Sequence, residues 1–332
     1  MKLLKSLPFY LLILVSGCGL DTRLKSDRIL KEPPYAGLTD SINRFPNDAQ
    51  LHLKRGLLLS QNNRHEIATA DYKKAWEIAP SEATALEYIS NLLLIGDMNP
   101  AIQLLKECIK KYPENHEFNR RLGEVYMEIG KPEQALAQLD SILQKDSSNF
   151  EAWFDKGMLL ARTDDTSAAI KALEMAYAIQ PIDYIGINLA NIYASNSNPK
   201  AIAICDAMIR KDTALASVDP WYIKGTYYYN TKQYDKALKL FEETIRRDWK
   251  FIEAYLDKGI ILYEQKNYDE ALETFTLAAT VSNTYPDSYY WMGRCYEATN
   301  RKEQAIANYQ RAYTLDKTFT QARDAMRRLK NS

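Results

Sequence analysis

A 34-residue period constrains this chain more than any other feature. Trp221, Gly225 and Tyr228 are followed by Ala237, Phe241 and Thr244. The same places hold Tyr255, Gly259, Leu262, Ala271, Phe275 and Ala278 after 34 residues, and Tyr289, Gly293, Tyr296, Ala305, Tyr309 and Ala312 after 34 more. Trp221, Gly225 and Tyr228 fall at i, i+4 and i+7, which is one face of a helix. Ala237, Phe241 and Thr244 mark the inward stripe of a second helix. Between them, Asn230 to Asp235 holds little that favours a helix, so the chain can turn there. Small residues sit where two helices must approach closely, and large ones fill the space beside them. One such pair cannot bury its apolar face alone, whereas stacked pairs complete one another's core.

The register can be followed along most of the chain. Leu38 to Phe45, closed by Pro46, reads as a lone second helix, because Pro46 and Pro80 are again 34 apart. The alanine landmarks Ala68, Ala101, Ala135, Ala169, Ala201, Ala237, Ala271 and Ala305 are spaced by 33, 34, 34, 32, 36, 34 and 34 residues. The irregularity therefore sits around the fifth repeat (Leu189, Ala201, Cys205, Met208), which is followed by a lengthened connection from Asp212 to Pro220. That repeat is expected to be the weakest link. Thr320 to Lys330 predicts a final helix with Arg323, Arg327, Arg328 and Lys330 outward.

These residues resemble the tetratricopeptide repeat (TPR) family over most of the chain. The resemblance implies an all-α, right-handed superhelical α-solenoid of about eight helix-turn-helix repeats: a capping half-repeat at 37–48, the array at 49–319 and a capping helix at 320–332. It further implies that the first helix of each repeat lines a concave groove for a protein or peptide partner. Carried onto the matching positions, the groove residues are Phe154 and Met158 in repeat four and Tyr222, Thr226 and Tyr229 in repeat six. Leu256, Ile260 and Tyr263 follow in repeat seven, and Tyr290 and Arg294 in repeat eight, with Glu264 and Glu297 beside Arg294 at the edge. The Lys/Asn clamp of chaperone-tail binders does not transfer, because Leu53 and Leu57 stand in its places in repeat one.

The N-terminus carries a second signal. Lys2 and Lys5 precede a nearly continuous apolar run from Leu7 to Val15, too short to span a bilayer as a mature helix. The run ends in Val15-Ser16-Gly17-Cys18, which resembles a bacterial lipobox. The resemblance implies removal of a signal peptide (1–17) and lipid attachment to Cys18, followed by a polar tether over 18–36 containing Pro33-Pro34. Several acyl chains would anchor the protein stably. Gly19, rather than Asp, after the cysteine is similar to signals that sort to the outer membrane. The expected location is thus the bacterial envelope, on the outer membrane facing the periplasm.

Composition narrows the function. Lys plus Arg and Asp plus Glu both number 43, which argues against general nucleic-acid affinity. His52, His65 and His116 are scattered, without metal-ligand spacing, and read as ordinary surface or interface residues. No phosphate-binding glycine loop, nucleophile elbow or Cys-x-x-Cys occurs. Cys108, Cys205 and Cys295 lie in three different repeats and read as buried free thiols. The expectation is a non-catalytic protein-interaction scaffold without cofactor, metal, nucleic acid or small-molecule substrate. An accessory subunit of an envelope enzyme or assembly complex and a structural spacer remain alternatives. Replacing Cys18 with Ala should abolish incorporation of a labelled fatty acid in the producing cell; persistent labelling of the variant would refute the anchor.

Overall fold

The computed structural model describes residues 26–211 and 217–331. Cys18, the signal segment and residues 212–216 of the lengthened connection lie outside the described residues. Eighteen helices follow one another from Ala36 to Asn331, with no strand among the described residues. Helix α1 (Ala36–Arg44), preceded by a helical segment at 26–30, lies where a lone half-repeat was expected. Repeats one to four are α2 (Ala49–Gln61) with α3 (His65–Ile78), α4 (Glu82–Leu94) with α5 (Met98–Lys111), α6 (Glu117–Glu128) with α7 (Pro132–Lys145), and α8 (Phe150–Arg162) with α9 (Thr166–Ile179). Repeats five to eight are α10 (Asp183–Ser195) with α11 (Lys200–Lys211), α12 (Asp219–Asn230) with α13 (Tyr234–Arg247), α14 (Ile252–Glu264) with α15 (Tyr268–Val281), and α16 (Pro286–Ala298) with α17 (Lys302–Leu315). Helix α18 (Thr320–Asn331) ends the array. This is the all-α solenoid of helix pairs that the period predicts. The helices gather into two compact units, one ending at Ile142 and the next beginning at Leu143, so the change falls inside α7.

Every turn within a pair is built the same way. The second residue after the first helix adopts a left-handed backbone: Asn63, Gly96, Gly130, Asp164, Ser197, Lys232, Lys266 and Asn300 all have positive φ. The next N–H then reaches back over the helix end, as in Gln233 N to Tyr228 O (2.8 Å) and Asn267 N to Leu262 O (2.9 Å). This is the Schellman arrangement, which satisfies carbonyls that the helix terminus would otherwise orphan. Helix starts are capped where a short polar side chain is available. Asp48 accepts from the N–H groups of Gln50 and Leu51, Ser81 from Thr84 and Asn149 from Ala152.

Packing within a pair is set by a glycine opposite a large side chain sixteen residues on, as in Gly225 with Phe241, Gly259 with Phe275 and Gly293 with Tyr309. A Cβ on Gly259 would lie 2.5 Å from Cε1 of Phe275, which is fully buried. In the first unit, α1 is tied to repeat one by a buried ionic network. Asp71 accepts from Arg55 Nε (2.7 Å) and Arg55 Nη2 (2.8 Å) and meets His52 Nδ1 at 3.0 Å. Arg55 Nη1 also donates to Thr39 Oγ1 of α1 at 3.0 Å, and His52 Nε2 lies 3.0 Å from the Pro46 carbonyl. His52 is therefore a buried interface residue.

Repeat five, the expected weakest link, nevertheless has a first helix that contributes fully to the core. Its first helix buries Ile185, Leu189, Ala190, Tyr193 and Ala194 almost completely. Leu189 replaces the usual glycine, and Ala190 and Ala194 leave room for Ile223 of α12 to join the same cluster. Within the pair, Gly186 keeps the close approach, since a Cβ there would lie 2.5 Å from Cε of Met208. The three cysteines are buried and free, as expected.

Gly259→Ala should lower stability by about 1–2 kcal/mol, the cost of overpacking less the gain in helix propensity. Gly37→Ala, in α1 with no atom near the new Cβ, should be neutral or stabilising by up to about 1 kcal/mol. Denaturant titrations followed by circular dichroism would read both, and equal effects would contradict the packing argument.

Candidate functional site

The candidate residues all fall in the second unit, on the first helices of its repeats, where neighbouring first helices lie side by side. The structure sorts them into three groups. Phe154 and Met158 of α8 pack partly buried against the cluster of Leu173, Leu189 and Tyr193. The Phe154 ring is 4.9 Å from Tyr184, whose own ring is 61% exposed. These two therefore pack into a cluster centred on repeat five, which Ile223 of repeat six also joins.

The second group joins repeats six and seven. Tyr222 packs its ring 4.8 Å from Phe251 and 5.7 Å from Phe241, and its hydroxyl donates to Asp257 Oδ2 at 2.9 Å. Tyr229 donates to Glu264 Oε1 at 3.3 Å. Thr226 turns back on its own helix, donating to the Tyr222 carbonyl at 3.2 Å. Leu256 does not belong to the surface: it is 8% exposed and sits in the core with Phe275 and Cys295. Its helix is drawn against α15 and α16, so the position that would face a groove is consumed by packing. Ile260 is partly buried against the same cluster.

The third group joins repeats seven and eight. Arg294 donates from Nη2 to the Tyr263 hydroxyl (3.2 Å) and from Nη1 to the Tyr290 hydroxyl (3.4 Å). Its guanidinium also lies 5.1 Å from the Tyr263 ring and 5.5 Å from the Trp291 ring. Trp291 in turn touches Tyr263, Tyr290 and Phe275, and Tyr290 is 5.0 Å from Phe319. Arg294 makes no ion pair with Glu264 or Glu297, the acids expected beside it. Glu297 is taken by Arg328 (2.6 Å) and the Tyr309 hydroxyl (2.7 Å), and Glu264 by Tyr229.

Electrostatics set this face apart. Burial, reinforced by nearby Glu253, pushes the Asp257 carboxyl up to about 6 despite the opposing Tyr222 hydrogen bond. Burial likewise raises Asp287. Burial and Asp257 together push the Tyr222 phenol far up, so it stays a neutral donor. Elsewhere, burial pushes the thiols of Cys108, Cys205 and Cys295 up to about 12, which keeps them protonated and poor nucleophiles. Among the described residues no group of three or more His, Cys, Asp or Glu side chains is placed to hold a metal ion. No helix among them is long and apolar enough to cross a membrane. Asp257, Trp291 and Phe251 were not singled out in the sequence. The only available signal was that Asp257 follows Tyr222 by 35 residues, one repeat and one residue on.

Family profiles described as Tetratricopeptide repeat match residues 49–82, 92–162, 150–183, 218–248 and 251–318, together well over half of the chain. Among curated proteins, the BBSome complex member BBS4 of Bos taurus is 26% identical over 168 residues, covering 49% of this chain and 32% of that protein. A TPR repeat-containing protein of Treponema pallidum is 27% identical over 140 residues, covering 36% of this chain and 17% of its own length. The chain thus spans a third or less of these relatives. Among solved structures, a tetratricopeptide repeat protein from Parabacteroides merdae superposes with a TM-score of 0.50 at 13% identity, covering 85% of this chain and 98% of that one. The C-terminal part of a TPR repeat-containing protein from Cytophaga hutchinsonii also gives 0.50, at 19% identity, covering 72% and 98%. At these identities the structural likeness speaks to the fold alone.

The Asp257 environment predicts a pH dependence. Its carboxyl holds its proton more tightly when folded (about 6) than in the reference state (3.8). Its contribution is therefore most favourable below about 4 and declines as pH rises to about 6. Asp257→Asn, which mimics the neutral acid and keeps an acceptor for Tyr222, should stabilise the fold by about 1–2 kcal/mol at alkaline pH and have little effect in acid. Thermal melts across this range would check it, and a stabilisation independent of pH would count against the assignment.

Proposed function

Because the chain belongs to the tetratricopeptide repeat family, whose members bind protein or peptide partners, we propose that it is a non-catalytic interaction scaffold. Its binding surface is the first-helix face of repeats six to eight. The observation that carries this reading is the row of partly exposed rings on that face, Tyr222, Tyr229, Tyr263 and Tyr290, with the hydroxyls of all four hydrogen-bonded to neighbours on the face. Exposed apolar ring surface is unfavourable by roughly 25 cal/mol per Å², so a partner that covers it gains affinity. The rings are already fixed by their hydroxyls and neighbours, so little side-chain entropy is lost on docking.

The lipobox-like Val15–Cys18 segment supports tethering through lipid on Cys18 to the bacterial envelope, on the outer membrane facing the periplasm. A lipid anchor would hold the array close to membrane-associated partners and raise their effective concentration.

A double variant, Tyr229→Ala with Tyr263→Ala, should keep helicity while weakening capture of envelope partners at least tenfold, about 1.4 kcal/mol. Quantitative pull-down from solubilised envelopes would measure this. Undiminished capture by a folded variant would exclude this face, and unfolding of the variant would place the two tyrosines in the core.

A further inference from the structure

Arg294 breaks a pattern that holds elsewhere in the chain. Among the described residues, six arginines are at least partly buried: Arg55, Arg120, Arg121, Arg247, Arg294 and Arg323. Five have a carboxylate within 4.0 Å. Arg55 has Asp71, Arg120 and Arg121 share Glu117, Arg247 has Glu243, and Arg323 has Asp324. Arg294 has none. Its guanidinium is held instead by two neutral phenols and by the faces of Tyr263 and Trp291. The nearby carboxylate, Glu297, is committed to Arg328 and Tyr309. A guanidinium carries five N–H donors, and here only two are used, so an edge of the fork remains available.

Enclosing a charge without a counter-charge costs free energy. The two phenols and two rings reduce that cost but bring no negative charge. They also fix the fork in one orientation, which is what bidentate recognition of a carboxylate needs. We propose that Arg294 selects the partner, receiving an aspartate or glutamate side chain of an extended peptide that crosses the first-helix face of repeats six to eight. This rests on the reading of that face as the binding surface. Aromatic surface continues on both sides of Arg294: Tyr222 and Tyr229 precede it in repeat six, and Phe319, on which Tyr290 packs, follows it. A bound segment therefore passes over Arg294 along its length, and the matching carboxylate belongs to a side chain. The acids on the same face, Glu253, Asp257 and Asp287, lie nearer the starts of their helices and would repel a carboxylate displaced towards them. They thus help fix the register of the segment.

The test uses random linear peptides displayed on phage, fused through their C-termini so that only side-chain carboxylates are offered, and panned against the full chain. The expected result is enrichment of peptides with Asp or Glu at one position among apolar neighbours. In a synthetic peptide of the selected sequence, replacing that acid by its amide should weaken binding to the unaltered chain at least tenfold. The same replacement should make no difference to binding by Arg294→Gln. The first measurement needs no variant, so it holds even if Arg294→Gln folds poorly. Enriched peptides lacking a positioned acid, or an amide replacement that costs the unaltered chain less than about threefold, would overturn the role of Arg294 while leaving the face as a peptide site. So would equal losses in the unaltered chain and a folded Arg294→Gln. No enrichment over an uncoated surface would overturn both.

Discussion

The close approach of a first helix to a second, at a glycine facing a ring, is the contact on which the other features of the repeats depend. Glycine in a helix interior is unfavourable by about 1 kcal/mol relative to alanine. Full burial of a ring such as Phe241 or Phe275 contributes roughly 1.5–3 kcal/mol. The second term exceeds the first, so the pair is stable with the glycine and strained without it. Because the ring fills the space above the glycine, the aromatic residues three positions before it on the first helix, Tyr222 and Tyr290, are displaced to the side of the pair. There Tyr222 packs on Phe241 and Tyr290 on Tyr309, at 5.7 and 5.6 Å, each residue remaining partly exposed. The packing rule therefore also generates the partly exposed ring surface.

That rule made the helix pairs legible, since its small and large residues recur at fixed spacing. What the spacing could not reveal was how each position is used once neighbours are in place. Leu256 shares a helical position with Tyr222 and Tyr290 but is drawn into the core with Phe275, because a leucine is short enough to be covered. The turns were legible as interruptions, but their left-handed residue was not. Lys232, Lys266 and Ser197 carry no intrinsic preference for that backbone. The strain of about 1 kcal/mol or more is offset by the two backbone hydrogen bonds that close each helix end. Repeat five shows the opposite failure. Its sequence departs from the pattern, yet its first helix is densely buried, because alanines at 190 and 194 admit Ile223 of the next repeat while Gly186 keeps a close contact with Met208 within the pair.

Charge follows the same logic of local compensation, with consequences that sequence spacing does not encode. His52, Arg55 and Asp71 lie on two helices and satisfy one another, joining α1 to repeat one through Thr39. Removing one partner from such a network leaves an uncompensated buried charge, at a cost of about 3–5 kcal/mol, so the cap and the first repeat stand or fall together. In a solenoid each unit is stabilised chiefly by its neighbours, and an end unit has only one. A polar network with defined geometry supplies, at that end, the specificity that a second apolar neighbour supplies elsewhere.

In repeats six to eight that compensation is incomplete. Asp257 is met by a phenol donor rather than by a cation, and Arg294 is surrounded by rings and hydroxyls. Replacing either group by an apolar residue of similar size would be no worse for folding, because neither takes part in an ion pair with the rest of the chain. Their place on a face of ordered tyrosines is better accounted for by binding than by stability. Preorganised rings limit the entropy lost on association, while charges of both signs at fixed places reject a partner whose own charges are out of register. A face of this kind gains much of its selectivity from what it repels, which is how closely similar solenoid repeats can serve partners of different chemistry.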